Sequence, residues 1–445
     1  MAQYNPPFLP GLPVLGNALD FSRDANALLW RGYQELGPIF SIRLVNKPAA
    51  VLVGPENLKF FFEQTDQTLS MEEVYQFLKP MFGEKIFFAS GPEVYQQQRA
   101  IMLPAFAARR MPAYLQAMRK EVLAWLDSLG EQGEFDLAPS MEALTMYVAA
   151  SAFLGEDFRR KMGAEFAALY RDLAQGIEFL LPTNLPLPRF RRRDRAKAQL
   201  ETMVGKLIAE RKADPQQHDD FLQAFLESTY PDGTQPSEDV VVTLVLGMVF
   251  AGHETTAGHA SWGLVQLLQH PEYLSTVVDE IDTCLPLSLG GEPEIDLETI
   301  RQMERLDWAL KETERMRPVA TMLMRYNREG YTLGGFDIPQ GWLSLAAIAV
   351  SHRLEQVFSE PERYDPVRFA PGREEHRAYA YSLAGFGGAR HKCLGMNFAY
   401  NEMKVIFSML LRRYRLELLT PDPQPDPKIN TNRPARGTIV RYKRK

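Results

Sequence analysis

The sequence predicts a mainly α fold with a small β lobe, built as one domain that spans residues 1–445. From about Pro55 to Leu285, apolar residues recur at intervals of three and four, which is the period of a helix. Short apolar runs typical of strands cluster outside that stretch. No internal repeat or low-complexity linker divides the chain, so a single domain is expected despite its length.

Local patterns predict the individual elements. Residues 1–17 form a proline-rich N-terminal segment, and the stretch from Pro6 to Pro13 excludes a helix. The runs PIFSIRL and AAVLVG, separated by a turn, predict a β-hairpin. One long helix is predicted from Ser237 to His270, before a proline. Further strands are predicted between Met324 and Val350, and in GTIVRYKR at the C-terminus.

Composition and charge exclude several classes of protein. The chain is 45% hydrophobic with a net charge of −6, which is typical of globular proteins. No signal peptide is recognisable, and the longest apolar run, VVVTLVLGMVFAG, is shorter than the roughly 18 residues of a membrane span. The only two cysteines, Cys284 and Cys393, lie far apart, which favours a reducing compartment. We therefore expect a cytoplasmic protein without a transmembrane anchor.

The mild acidity of the chain argues against a nucleic-acid partner. Its densest basic run, Arg189 to Lys197, contains an aspartate and has Phe190 as its only aromatic residue. Such a run is typical of a solvated helix start, with a membrane-surface or protein contact as the alternative.

The stretch FGGARHKCLG, residues 386–395, carries the strongest chemical signal. Cys393 is followed by LGMNFAYNEMKVIFSMLLRRY, an amphipathic helix pattern, so its sulfur is expected at a helix N-terminus that favours negative charge. Gly395 leaves room for a flat group, Phe386 can shield the sulfur, and His391 can face an anion. These features suit a thiolate beneath a planar anionic cofactor, although a packed and inert cysteine, our interpretation of Cys284, also accounts for a lone residue.

The stretch resembles the haem-binding loop F-x-x-G-x-R-x-C-x-G of the cytochrome P-450 superfamily. Phe386, Cys393 and Gly395 match, whereas Ala389 stands where that superfamily usually has glycine and His391 where it usually has arginine. The resemblance implies haem b (iron protoporphyrin IX) with Cys393 as the iron ligand. It also implies the cytochrome P-450 fold, with haem between the long central helix and the helix after the cysteine loop.

Two further stretches resemble motifs of the same superfamily. In LKETERMRP, Glu312 and Arg315 lie on one helix face, and the resemblance implies a structural cluster completed by Arg368 of DPVRF. Taken alone, this spacing also fits an exposed ion pair. AGHETT resembles the oxygen-binding pattern: the resemblance implies that Glu254 and Thr255 pass protons to dioxygen. Ala251 and Gly252 of the same motif leave room above the haem. A threonine-rich core helix with a surface glutamate is the alternative.

The resemblance also implies partners for the haem propionates. Tyr95 and Arg99 in YQQQR resemble the W/H-x-x-x-R motif, with tyrosine substituted. Arg325 in MLMRY falls where an arginine commonly meets the other propionate, alongside His391.

The implied reaction inserts one oxygen atom from O2 into a lipophilic substrate. The chain has no flavin or iron–sulfur signature, so electrons are expected from an external ferredoxin or flavodoxin with its reductase. Arg390, Lys392, Arg412 and Arg413 are expected to form a positive patch for that donor. We expect a monomer of the soluble bacterial type.

The substrate class follows from weaker signals. The segment from Glu73 to Phe88 resembles the sterol 14-demethylase-like family, yet those enzymes usually carry histidine where this chain has Glu254. We expect a sterol, terpenoid, retinoid or fatty acid. The alternatives are a sterol 14-demethylase proper, a peroxide-driven peroxygenase and a non-catalytic haem protein that binds a ligand. Candidate pocket residues are Tyr75, Phe77, Phe82, Val319, Thr321, Met322 and Leu323.

Overall fold

The computed structural model describes residues 4–178, 183, 185–213, 218–285, 294–427 and 431–445. The fold is mainly helical with a small β lobe, which confirms the predicted class. The helices are α1 (Ala18–Leu36), α2 (Pro55–Glu63), α3 (Lys79–Phe82), α4 (Pro92–Met102), α5 (Met111–Leu129), α6 (Leu137–Leu154), α7 (Glu156–Ala174), α8 (Pro188–Ala213), α9 (Phe221–Glu227), α10 (Glu238–Gln269), α11 (Pro271–Cys284), α12 (Leu297–Gln302), α13 (Glu304–Met316), α14 (Ile348–Ser351) and α15 (Met396–Arg413).

The strands form three sheets, ordered β1-β2-β8-β5-β3, β4-β10-β9 and β6-β7. The predicted hairpin is confirmed, with Phe40 opposite Val51 in an antiparallel register. In the largest sheet β2 runs parallel to β8. The strands are β1 (Ile39–Leu44), β2 (Lys47–Leu52), β3 (Leu69–Ser70), β4 (Gln132–Asp136), β5 (Leu323–Asn327), β6 (Tyr331–Leu333), β7 (Phe336–Ile338), β8 (Leu343–Ala346), β9 (Tyr414–Leu418) and β10 (Ile439–Arg444).

Strand β4 is the clearest error of the sequence prediction, which treated this stretch as helical. Its residues pair with the C-terminal strand β10, Phe135 opposite Val440. Helix α5 ends at Leu129, and Gly130 follows it with a left-handed φ of 78°. Glycine adopts this conformation with little strain because it has no Cβ. The partner strand lies some three hundred positions away, so no local pattern signals the pairing.

Helix α10 crosses the whole fold and is close to the predicted length. Ser237 precedes its first residue and His270 follows its last. Because α6, α8, α13 and α15 pack around it, the helix is apolar on nearly all sides. Helices α6 and α10 are long and apolar enough to cross a membrane, but 72% and 67% of their apolar windows are buried within the protein. Both are therefore accounted for as core helices.

Helix α15 begins directly after the cysteine loop and packs against α5, α10 and α11. This packing places the loop beside the middle of α10. The basic run that begins α8 is less solvated than predicted, because Arg193 is buried, bonded to the Asp194 carboxylate at 2.7 Å and the Thr183 carbonyl at 3.0 Å.

Candidate active site

Residues 386–395 form a closed loop that leads into α15. The Cys393 backbone N–H donates a hydrogen bond to the Phe386 carbonyl at 2.8 Å, which joins the two ends of the loop. Gly388 lets the loop lie against its support, because a Cβ there would be 2.3 Å from the Tyr381 ring. The loop is thereby held with its cysteine at the helix N-terminus.

The Cys393 sulfur faces an internal space. Burial raises the pKa of its thiol, although the backbone N–H groups of Gly395 and Met396 bond the sulfur and act in the opposite direction. Cys393 is nevertheless solvent-accessible. A sulfur that is both closely surrounded and accessible borders a space within the protein. Gly395 leaves one side of the sulfur uncovered, since a Cβ there would be in ordinary contact with the sulfur at 3.9 Å.

Helix α10 is accessible at its centre, between buried turns. Thr255 is exposed and Ala251, one turn earlier, is partly so. The Thr255 hydroxyl donates a hydrogen bond to the Ala251 carbonyl at 2.5 Å, a bond type that opens a helix slightly. One turn further, the His259 ring centroid is 6.2 Å from that of Phe386. The accessible face of α10 therefore lies close to the cysteine loop.

Glu254 is a half-buried carboxyl next to that face. Burial raises the pKa of its side chain, and no described residue forms a hydrogen bond or ion pair with it. Burial also raises the pKa of the neighbouring Tyr170, and the Glu254 charge adds to this effect. Gly252 faces α6, where a Cβ would make an ordinary contact with the Phe153 ring at 3.4 Å.

Arg325 is a buried cation without an anion. Its side chain is 2% exposed and donates to the Thr65 hydroxyl at 3.2 Å and the Met324 carbonyl at 2.8 Å. The Tyr75 hydroxyl lies beside the guanidinium, and burial lowers the pKa of Arg325. In the described part of the chain no carboxylate reaches ion-pair distance of it. Buried charges are normally paired, so Arg325 is suited to bind an anion other than a carboxylate of the described residues.

Tyr95, Arg99 and His391 form a second polar group near the loop. Arg99 donates to the Tyr95 hydroxyl at 3.4 Å, and that hydroxyl donates to the Arg390 carbonyl at 3.1 Å. The His391 ring packs on Tyr95 with centroids 4.1 Å apart, while its Nε2 lies 2.7 Å from an Asp66 carboxylate oxygen. His391 therefore already has a protein anion, whereas Arg99 has none among the described residues.

Glu312, Arg315 and Arg368 meet in the protein interior, as the resemblance to the cytochrome P-450 superfamily implies. All three side chains are fully buried. The Glu312 carboxylate is 2.7 Å from Nε of Arg315 and 3.1 Å from Nε of Arg368. Arg368 also binds Glu375 at 2.6 Å. An exposed ion pair, the alternative from sequence, is excluded.

Three candidate pocket residues take part in aromatic contacts. The Tyr75 ring lies 5.9 Å from Phe77 and 6.3 Å from Phe88, and the Phe82 ring lies 5.3 Å from Phe250 of α10. The other candidates, Val319, Thr321, Met322 and Leu323, are partly exposed. The apolar contacts of Met322 and Leu323 are with the two cores of the β lobe.

These residues fit haem b. A sulfur donor at a helix N-terminus suits iron, and the anion missing at Arg325 has the charge of a propionate. Arg99 offers a second cation, and the accessible face of α10 borders the cysteine loop. Such a combination defines the haem-thiolate class of proteins.

Comparisons with known proteins identify the family within this class. The Cytochrome P450 family model matches residues 6–440. The chain is 35% identical to the sterol 14-demethylase of Arabidopsis thaliana over 442 residues, covering 97% of this chain and 90% of that protein. It is 33% identical to the sterol 14alpha-demethylase of Mycolicibacterium vanbaalenii over 440 residues, covering 97% and 96%. A solved structure, retinoic acid bound cyanobacterial CYP120A1, superposes over 100% of both chains with a TM-score of 0.89 and 27% identity.

The chain therefore belongs to the cytochrome P450 family. It is a cytochrome P450 monooxygenase that binds haem b, as the loop motif predicted.

Sequence reasoning missed several residues that hold this site together. Asp66 and Thr65 follow α2 and bind His391 and Arg325 across the fold. Glu314, between the two members of the E-x-x-R motif, binds the start of the cysteine loop. The sequence carries no signal for these contacts, because each joins segments that are distant along the chain.

Proposed function

We propose that this protein is a monooxygenase of lipophilic small molecules in which Cys393 ligates the haem iron. The observation that carries the proposal is the accessible sulfur at the N-terminus of α15, bonded by the Gly395 and Met396 N–H groups. Those N–H groups stabilise a thiolate once iron has displaced the proton. When bound, haem b supplies the activation of O2 that leads to insertion of one oxygen atom.

The proposed proton carriers are Glu254 and Thr255. Burial raises the pKa of Glu254, which favours the protonated form that a proton donor requires. The Thr255 hydroxyl, anchored on the Ala251 carbonyl, faces the internal space and passes the proton on. Arg325 and Arg99 are proposed to bind the two propionates, and His391 supports Arg99 through Tyr95.

The aromatic group around Tyr75, Phe77 and Phe88 supports a lipophilic substrate, since such rings bind flat or chain-like apolar molecules. Relatives named as sterol 14-demethylases favour a sterol, and the structure with bound retinoic acid favours a retinoid. The two classes are distinguished by titrating the ferric protein with each and following the spin state in the visible spectrum. Sterol 14-demethylation is supported if a 14-methyl sterol produces the high-spin form, and rejected if a retinoid alone does.

An acidic ferredoxin or flavodoxin is the proposed electron donor. A cavity of about 1040 Å³ on the cysteine-loop side is lined by both cations and carboxylates, and among its cations Lys59, Arg301 and Lys392 have no ion pair among the described residues. Arg413 belongs to the positive patch expected from sequence but is paired with Asp127 at 2.5 Å. We therefore propose that these three cations take over part of the role of that patch. Charges of this kind steer an acidic partner to its docking site.

We further propose that one domain, residues 1–445, acts as a monomer in the cytoplasm. The sequence holds only Cys284 and Cys393, a sparing cysteine usage that favours a reducing compartment. Analytical ultracentrifugation of the haem-loaded protein tests the monomer directly, since a dimer would sediment faster.

The iron ligand is tested by the spectrum of the reduced carbon monoxide complex. Cys393→Ser is expected to abolish the long-wavelength thiolate band, whereas Cys284→Ser, the matched control, is expected to keep it. A thiolate band that survives in Cys393→Ser refutes the proposed ligand.

A further inference from the structure

A buried carboxyl group supports the cysteine loop from behind. Glu314 lies on α13, is 5% exposed, and is not part of the E-x-x-R cluster. Its Oε1 accepts a hydrogen bond from the Gly385 backbone N–H at 3.0 Å, and its Oε2 accepts one from the Tyr400 hydroxyl at 2.8 Å. One carboxylate thus joins three elements: α13, the start of the loop and α15.

The contact with Gly385 is close and leaves little freedom. A Cβ on Gly385 would lie 2.7 Å from Cγ and 2.8 Å from Oε1 of Glu314. The next residue, Phe386, gives its carbonyl to the Cys393 N–H. A displacement of Gly385 is therefore transmitted through Phe386 to the sulfur-bearing residue.

The second contact acts on the other end of the loop. The Tyr400 ring lies 5.5 Å from Phe386 and 5.9 Å from His259 of α10. Tyr400 is on the first turns of α15, which begin just after Cys393. The Glu314–Tyr400 bond therefore orients both the shielding phenylalanine and the helix whose N-terminus faces the sulfur.

We propose that Glu314 is a positioning residue for the haem-thiolate bond, which fixes the loop around Cys393 by hydrogen bonds and sets the electrostatic environment of the sulfur by its negative charge. The inference rests on the proposed role of Cys393 as iron ligand. Glu314 has no hydrogen bond to the sulfur among the described residues and acts through Gly385 and Tyr400.

The charge of Glu314 reaches the sulfur. Its negative charge contributes to the raised pKa of Cys393, after burial. Burial likewise raises the pKa of Glu314 to about 7, while its two hydrogen bonds oppose the rise. The other charged or titratable groups that face it or line the adjoining cavity are Lys59, Glu63, Arg301, Asp307, Lys311, His376, Tyr381, Lys392, Tyr400 and Lys404.

A carboxylate near the haem-thiolate group disfavours reduction of the haem iron, because reduction adds a negative charge. Removing the charge of Glu314 is therefore expected to raise the reduction potential. Spectroelectrochemical titration of the haem-loaded protein tests this. For the wild type, the potential is expected to become more positive as pH falls through about 7, where Glu314 takes up a proton. Glu314→Gln keeps the shape and is expected to show a more positive potential without that pH dependence.

Glu280→Gln is the matched control. Glu280, on α11, also accepts two backbone hydrogen bonds, from the N–H groups of Arg305 at 2.7 Å and Leu306 at 3.0 Å. Its variant is expected to match the wild type in potential and pH dependence. Glu314→Leu removes both hydrogen bonds and is expected to lose the thiolate band of the reduced carbon monoxide complex faster than Glu314→Gln.

The outcomes separate the inference from the proposed ligand. A wild-type protein without a thiolate band refutes Cys393 as ligand and removes the basis of the inference. A normal wild-type band with Glu314→Gln identical to wild type in potential at every pH overturns the inference alone, because a purely structural role is then sufficient.

Discussion

The Nε atom of Arg368 lies 3.1 Å from the Glu312 carboxylate, and both side chains are fully buried. The same carboxylate binds Arg315, so one buried anion bridges two interior cations. Glu312→Gln is expected to lower the free energy of unfolding by about 3–5 kcal/mol, because Arg315 loses its charge partner and Arg368 keeps only Glu375. Urea unfolding followed by circular dichroism measures the change.

Asp157→Asn is the control for this prediction. Asp157 pairs with Arg160 at 2.7 Å on the surface, where an ion pair contributes at most about 1 kcal/mol. If Glu312→Gln cost no more than this control, the buried cluster would not stabilise the fold as we infer.

Arg325 is expected to oppose folding of the haem-free protein and to favour haem binding. Arg325→Met removes an unpaired buried charge, so the haem-free protein is expected to be as stable as wild type or more stable. Haem binding is expected to weaken by about 2–5 kcal/mol, because a propionate loses its partner. Thermal unfolding with and without haem, together with haem transfer to an acceptor protein, measures both effects.

Arg328→Met serves as the matched control, since Arg328 is three residues away but pairs with Glu72 at 2.8 Å near the surface. Unchanged haem affinity in Arg325→Met would contradict the propionate assignment.

The Thr255 hydroxyl is expected to matter for the coupling of electrons to product. Thr255→Ala leaves the helix and haem in place but removes the proton carrier at the internal space. Product formed per reducing equivalent is expected to fall several-fold, with a matching rise in hydrogen peroxide. Thr255→Ser retains the hydroxyl and is expected to remain coupled; equal uncoupling in both variants would show that the methyl group, and not the hydroxyl, is required.

Ala389 has a left-handed backbone conformation with φ of 49°, which strains any residue with a Cβ. Ala389→Gly is expected to raise the free energy of unfolding by about 1 kcal/mol through relief of that strain. Ala378→Gly, at a right-handed position with φ of −56°, is expected to lower it, since glycine there only adds unfolded-state entropy. Chemical denaturation of both variants checks the opposite signs.

Acid is expected to destabilise the fold through buried histidines. Burial holds the pKa of His259 at about 4, below its ordinary value of 6.5. Between these values the unfolded chain binds the extra proton, so this residue lowers the free energy of unfolding as pH falls from about 6.5 to 4, by on the order of 3 kcal/mol. Glu314, whose pKa is raised to about 7, acts in the opposite direction, so single variants are needed to separate the effects.

His259→Gln keeps a donor for the Leu310 carbonyl, which Nε2 of His259 contacts at 2.9 Å, but cannot titrate. Its stability is expected to fall less steeply with acid than that of the wild type. Identical slopes for wild type and His259→Gln would contradict this account.

Much of the fold and part of the site are determined by the sequence alone, because those features are local. The helical period of α10, the hairpin β1–β2 and the amphipathic helix after Cys393 all depend on neighbours within a few residues. The same holds for Glu312 and Arg315, whose spacing puts them on one helix face.

Only the tertiary structure decides the contacts that complete the site. Asp66 meets His391 across 325 positions, and Gly385 binds Glu314 across 71. The unpaired state of Arg325 is likewise a property of its surroundings. Charge pairing, burial and hydrogen bonding depend on distance in space, which helical and strand periods do not encode, so these groups become recognisable only after the chain has packed.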